Sequence, residues 1–226
     1  MAVGNRIAVR QRVVAKDVIE KFRALPVANV SDSMGRMAAG GAALRPFHKG
    51  GVLAGPAVTV KARPGDNLMV HAALDRAQPG DVVVVDAGGD LTNAIIGELM
   101  VAHAAQRGLA GIVINGAIRD VVAIREGDFP IYALGVSHRG PYKDGPGEVN
   151  FPIAIAGMVV MPGDLVLGDE DGLIVVPFDD VEAVHAAASK KHAAETAQLE
   201  RIALGQNDRR WVEQALVASG CEIHDA

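Results

Sequence analysis

Three side chains in the stretch GELMVAHAAQRGLAGIVINGAIRD, Gly97 to Asp120, have the types and spacing to do chemistry. Glu98 stands at a helix start, and Arg119 and Asp120 are adjacent just after an apolar strand. A carboxylate such as Asp120 supplies a hard oxygen to Mg²⁺ or Mn²⁺, which bind through few protein oxygens and keep several waters. Arg119 cannot lose its proton, and its planar fork matches carboxylate or enolate oxygens. Facing one pocket, the pair suits metal-assisted work on a small keto acid. Plainer uses exist for both. Asp120 directly precedes Val121-Val122-Ala123-Ile124, where its side chain could cap a helix, and Arg119 could be a solvated surface charge. The dipeptide alone leaves these readings open.

Other candidates carry less. His71 and His103 lie inside expected helices and form no HxxxH pair, so a histidine zinc site has little support. Ser31 and Ser33 lack a Gly-x-Ser-x-Gly elbow. The glycines of GGDLTNAIIG follow neither GxGxxG nor a Walker pattern. Gly65-Asp66-Asn67 and Asp86 with Gly88-Gly89 fall at strand or helix ends, where turn formers collect as readily as pocket residues. No lysine lies beside the Arg-Asp motif, which disfavours a Schiff-base mechanism.

The elements that must position these residues alternate between strand and helix. Helical spacing runs from Val13 to Leu25, and Ser31-Asp32-Ser33 offers a cap for a short helix through Met37. Gly40-Gly41 and Arg45-Pro46 read as loop, and Gly55-Pro56 leads into a strand over Ala57–Lys61. Helices are expected over Leu68–Ala77, Ile95–Gln106 (closed by Gly108) and Val121–Glu126. Buried strands are expected over Val82–Val85 and Ile112–Ile114, and a further strand over Ile131–Leu134. Further strands follow over Val149–Ile155, Met158–Val160, Asp164–Leu167 and Leu173–Val176. Pro-Gly-Asp recurs at Pro64, Pro79 and Pro162, as repeated turn chemistry rather than duplication. From Asp179 the chain is helical and charged to about Leu204, breaks at Gly205–Asp208, and ends in an amphipathic piece, Trp211–Ala218. No linker divides it, so residues 1–226 read as one domain with 179–226 a helical extension able to cover a neighbouring subunit or its own domain.

Composition narrows the classes. The chain has 226 residues, half of them apolar but only 4% aromatic, so Val, Ile, Leu and Ala fill the core. A net charge of −5 without a basic run argues against nucleic acid as a partner. The single Cys221 excludes an intrachain disulfide framework and suits a reducing cytoplasm. The first residues have no apolar signal core, and no apolar run reaches the roughly 18 residues of a membrane span.

Several blocks resemble the RraA-like family, in particular its class II pyruvate aldolase branch, the 4-hydroxy-4-methyl-2-oxoglutarate / 4-carboxy-4-hydroxy-2-oxoadipate aldolases. They are VSDSMGR from Val30, GPAVTVKARPGDNLMVHAAL from Gly55, PGDVVVVD from Pro79, GELM, NGAIRD, and VNFPIAIAGMVVMPGDLVLGDEDGLIVVP from Val149 to Pro177. The resemblance spans Pro26 to Pro177. Its most diagnostic part is an acid, a gap, then Arg-Asp; the family often has Asp where Glu98 stands here. It implies an α/β fold of the three-layer β/β/α swivelling-domain type with a helical C-terminal arm. It implies that Asp120 ligates Mg²⁺ or Mn²⁺ and that Arg119 holds the pyruvyl oxygens. The backbone N–H groups of Gly97, Glu98, Leu99 and Met100 would take the substrate carboxylate, and Glu98 would reach the metal through water. Glu195, in the C-terminal arm, would approach an adjacent subunit's pocket in a homotrimer or homohexamer. The implied activity is cleavage of 4-hydroxy-2-keto acids to pyruvate, with oxaloacetate decarboxylation beside it. The alternative from the same family is a non-catalytic protein regulator of RNase E, whose members lack the full acid and Arg-Asp set.

Overall fold

Strict period-two alternation in the apolar strands decides how the layers stack. The computed structural model describes residues 4–37 and 43–224; the Gly40-Gly41 loop lies outside the described residues. The strands are β1 (Asn5–Ile7), β2 (Arg45–Pro46), β3 (Leu53–Ala62), β4 (Val82–Asp86), β5 (Ala94–Ile96) and β6 (Gly111–Ile118), followed by β7 (Ile131–Val136), β8 (Gly147–Val149), β9 (Ile153–Ile155), β10 (Met158–Val160), β11 (Leu165–Gly168) and β12 (Leu173–Val176). The helices are α1 (Lys16–Phe22), α2 (Val27–Ser33), α3 (Leu68–Arg76), α4 (Glu98–Gln106), α5 (Val121–Glu126), α6 (Val181–Ala203) and α7 (Arg210–Ala218).

The main sheet runs β1-β8-β3-β4-β6-β7-β2, with β3, β4, β6 and β7 mutually parallel. Val83, Val85, Ile112 and Ile114 point to one face and pack with α3, α4 and α5. Val82, Val84 and Val113 point to the other and pack against Ile153, Met158, Val166 and Val175 of the second β layer. That is the expected β/β/α arrangement. The second layer is itself apolar on both faces: Leu165, Leu167, Ile174 and Val176 turn outward and are covered by α1, α2 and the first turns of α6. Tyr132 of β7 bridges the layers, its buried hydroxyl donating to the Asp169 carbonyl at 2.7 Å.

Several boundaries differ from the sequence reading for identifiable reasons. The helix expected from Ser31 to Met37 instead spans Val27–Ser33: Pro26, whose fixed φ suits a helix entry, starts it. Positive φ at Gly35 and Arg36 follows its end. The helix expected over Val13–Leu25 is confined to Lys16–Phe22. Gly55-Pro56 is not a lead-in but lies inside β3, where a Cβ on Gly55 would strike the Gly80 carbonyl. Ile95 and Ile96 are strand, buried on both faces, and the helix begins only after Gly97. The strand expected over Val149–Ile155 breaks at Asn150, which has φ 60°, into β8 and β9. Arg45–Pro46, expected as loop, pairs with β7 at the sheet edge. No helix among the described residues is long and apolar enough to cross a membrane.

Candidate active site

Two parallel strands ending side by side build the site. β5 takes the edge of β6 beyond the last β4 pair, with Ile96 in register with Ile118, and the Arg119 N–H donates to the Ile96 carbonyl at 3.0 Å. Gly97-Glu98 and Arg119-Asp120 therefore leave the sheet together at its carboxyl end, where open parallel sheets form their crevices. A cleft of about 280 Å³ lies there, lined by Gly97, Glu98, Leu99, Met100, Arg119 and Asp120 from the motif. Asn67, His71, Ile95, Ile96, Pro141 and Lys143 complete it.

Asp120 does not behave as a cap. Its backbone is left-handed, φ 57° and ψ 37°, and its side chain makes no bond to α5, whereas a capping residue is extended and spends its side chain on the first turn. Its Oδ2 instead accepts the Glu98 N–H at 3.0 Å, with the Arg119 Nε 3.7 Å away. Both side chains remain about two-fifths exposed, so they are reachable from solvent. Gly97 makes this approach possible: a Cβ there would collide with Asp120 Oδ2 and press on the Arg119 side chain.

The start of α4 is partly used. The Glu98 N–H is taken by Asp120, and the Met100 N–H donates to the Gly97 carbonyl at 3.1 Å. Those of Gly97 and Leu99 meet no acceptor among the described residues, leaving donors for an anion at a helix N-terminus. The Leu99 side chain stands out from the rim, 85% exposed.

The donor set fits a small divalent cation. Asp120 Oδ1 has no bond among the described residues, and the exposed Glu98 carboxylate lies on the same cleft. One or two carboxylates plus waters is what Mg²⁺ accepts.

Three lining residues were not assigned roles by sequence reasoning. Asn67 is buried, its Nδ2 donating to the Ile95 carbonyl at 2.9 Å, while its Oδ1 has no partner among the described residues. His71, for which a zinc role had little support in the sequence, is partly buried and lines the cleft, and burial together with the nearby Lys143 cation lowers its pKa. Lys143, far from the motif in sequence, reaches the cleft from the loop after β7. The only signal for Asn67 was its place in Gly65-Asp66-Asn67 at a helix start; Lys143 had none.

Glu195 does not join the cleft within one chain. It sits on α6, accepting from Asn29 at 2.6 Å and pairing with Lys191 at 3.1 Å. Lys191 also reaches Asp32 at 3.0 Å. The bonds from Asn29 and then Lys191 hold the Glu195 carboxyl below its usual range.

A family model described as RraA-like, Aldolase/RraA, matches residues 27–175. A protein of Halalkalibacterium halodurans, provisionally named a 4-hydroxy-4-methyl-2-oxoglutarate aldolase, is 39% identical over 80% of this chain and 87% of its own length. A Thermus thermophilus protein named 4-hydroxy-4-methyl-2-oxoglutarate aldolase is 38% identical over 50% of this chain and 68% of its own. Among solved structures, Streptomyces coelicolor RraAS2, described as an unusual member of the RNase ES inhibitor RraA family, superposes with a TM-score of 0.74. It is 26% identical, covering 83% of this chain and 98% of its own.

Proposed function

The chain belongs to the RraA-like family, and from that premise we propose that it is a divalent-metal-dependent class II aldolase cleaving 4-hydroxy-2-keto acids, of the 4-hydroxy-4-methyl-2-oxoglutarate type, to pyruvate. The observation that carries this reading is the convergence of Arg119, Asp120 and the start of α4 on one cleft. Asp120, through the oxygen that Glu98 leaves free, would hold Mg²⁺ or Mn²⁺. Such a cation draws electron density from the keto oxygen and carboxylate of the substrate.

The chain's own residues do the rest. The unpaired N–H groups of Gly97 and Leu99 take the substrate carboxylate, favoured by the helix dipole. The Arg119 guanidinium meets the keto oxygen and is already in place as negative charge develops there. Glu98 orients the water that takes the proton of the 4-hydroxyl. As the C3–C4 bond breaks, C4 becomes a carbonyl and the bonding pair passes to pyruvate enolate. Protonation at C3 then releases pyruvate. Oxaloacetate presents the same keto-acid head, so losing CO₂ through the same enolate is the expected side activity.

The same reading extends to assembly. Helix α7 has no buried residue, and Trp211 and Val217 lie more than three-fifths exposed on it. A homotrimer or homohexamer would cover this face and bring Glu195 to a neighbour's cleft. A single exposed cysteine is in keeping with the cytoplasm.

The test is pyruvate release from a panel of 4-hydroxy-2-keto acids and oxaloacetate, with and without Mg²⁺ or Mn²⁺. Metal-dependent turnover is expected. No turnover of any keto acid, together with inhibition of an RNase E-type ribonuclease, would replace this reading with the regulator.

A further inference from the structure

Helix α3 carries a polar stripe away from the cleft. Asn67 stands at its N-cap, and the His71 N–H donates to the Asn67 carbonyl at 3.1 Å. Asp75 follows one turn further along. Residues four apart share a helix face, so the three line up, and the first two lie in the cleft wall. On α4 the same spacing sets His103 one turn beyond Leu99. Between the two helices runs a groove of about 280 Å³, lined by His71, Leu74, Asp75, Leu99, Met100 and His103. His71, Leu99 and Met100 line both spaces, so the groove adjoins the cleft. His103 Nε2 lies 3.6 Å from Asp75 Oδ1, and their side chains are 47% and 66% exposed, so this part of the groove meets solvent. Among the described residues, His71 is the one titratable side chain that lines both cleft and groove.

The two reactions proposed for the cleft differ in their protons. In the cleavage the 4-hydroxyl gives up one proton and C3 takes one, so none is drawn from solvent. Oxaloacetate has no 4-hydroxyl. Its C3–C4 bond breaks, CO₂ leaves, and the bonding pair passes to the enolate. C3 must then take a proton that solvent supplies.

We propose that His71 is a catalytic residue that delivers this proton to C3 of the enolate and takes its replacement from solvent through the groove. The inference rests on the aldolase reading and adds the proton donor to it. A neutral imidazole carries an N–H on one nitrogen and a lone pair on the other, so it can give on the cleft side and take on the groove side. Burial first, and then the Lys143 charge, lower the His71 pKa, so its protonated ring is a stronger acid than a free imidazolium.

Exchange of the methyl hydrogens of pyruvate with D₂O in the presence of Mg²⁺, followed by NMR, reads this step in reverse with no bond cleavage. His71→Gln stays polar but cannot pass a proton across. It should slow exchange and oxaloacetate decarboxylation by about tenfold or more, the scale of general acid catalysis. Cleavage of a 4-hydroxy-2-keto acid should fall less, because the 4-hydroxyl proton can return to C3. Free imidazole should restore exchange in His71→Ala. Unchanged exchange in folded His71→Gln overturns the proposal, as does an equal fall of all three rates, or exchange in His71→Ala that imidazole leaves unrestored. If neither variant folds, the wild type decides. Diethyl pyrocarbonate should abolish exchange in step with modification of His71, read by peptide mass, and hydroxylamine should reverse both. Exchange that persists with His71 modified overturns the proposal. Wild-type protein inert toward every keto acid removes the aldolase reading itself, and the proton donor with it.

Discussion

Asp120 Oδ2 accepts the backbone N–H of Glu98 at 3.0 Å, although Asp120 immediately precedes α5 and lies far from Glu98 in sequence. The carboxylate is spent on the opposite side of the cleft from the helix it introduces. This separates its roles in stability and chemistry. Asn at 120 can still accept the Glu98 N–H, so Asp120→Asn should melt within about 1 kcal/mol of wild type. It loses the anionic oxygen, and kcat should fall by more than about 100-fold, since even groups behind a metal ligand matter by 10- to 100-fold. Melting curves and steady-state kinetics on one preparation check both halves. Near-normal turnover would discard the metal role.

The apolar runs were legible because burial on both faces leaves few alternatives: Val82–Val85 and Leu173–Val176 fall where their composition puts them. Boundaries were lost where one apolar run crosses two elements. Ala94-Ile95-Ile96 continues into the apolar positions of α4, and nothing in hydrophobicity marks the change at Gly97; the need for a residue without a Cβ marks it. Likewise Ser31-Asp32-Ser33 carries capping residue types, yet Pro26 starts the helix first. The motif residues could be found because they are contiguous at two strand ends. Lys143 could not, because its loop returns to the cleft only through contacts with residues far away in sequence, among them Asn67, Ala94 and the Asp66 carboxylate.

Arg119 is tested by its shape. Lysine keeps the charge and loses the fork. If two substrate oxygens engage the guanidinium, Arg119→Lys should lose about 2–4 kcal/mol of transition-state stabilisation, read as a fall in kcat/KM with the melting point unchanged. An unaltered kcat/KM would make Arg119 a surface charge.

Gly97 tests the close approach itself. Its φ of −147° and ψ of −171° suit any residue, so the cost of Gly97→Ala is steric. The new methyl must push Asp120 and Arg119 apart, at about 1–3 kcal/mol of stability, as for other overpacking changes. Activity should fall far more than stability, because both displaced groups belong to the cleft. Kinetics together with a crystal structure of the variant check this. A fully active Gly97→Ala would mean the Asp120–Glu98 contact is dispensable.

His71 gives a pH dependence of defined sign. Burial, with Lys143 adding to it, lowers its folded-state pKa below the ordinary 6.5. Between that lowered pKa and 6.5 the unfolded chain binds the extra proton, so stability rises with pH there. Above 6.5 the effect vanishes; below the lowered pKa the full cost is present. His71→Gln should therefore melt closer to wild type at pH 7.5 than at pH 5, where it should gain. A difference between the two proteins that is flat from pH 5 to 7.5 would place His71 outside the cleft's electrostatics.

Oxalate separates an enzyme from a binding protein. Its planar dianion presents two oxygens in the arrangement of pyruvate enolate, and a site shaped for the intermediate binds its mimic more tightly than the product. The unpaired Gly97 and Leu99 N–H groups, Arg119 and a cation on Asp120 would all meet such an anion at once. Oxalate should thus inhibit competitively and bind more tightly than pyruvate, but only with Mg²⁺ or Mn²⁺ present. Asp120→Asn should erase that preference while leaving weak, metal-independent anion binding at the start of α4. Calorimetry on both proteins, with and without metal, reads every arm. A protein that only docks to a ribonuclease has no reason to distinguish these two anions, and equal binding of both without regard to metal would sink the enolate site.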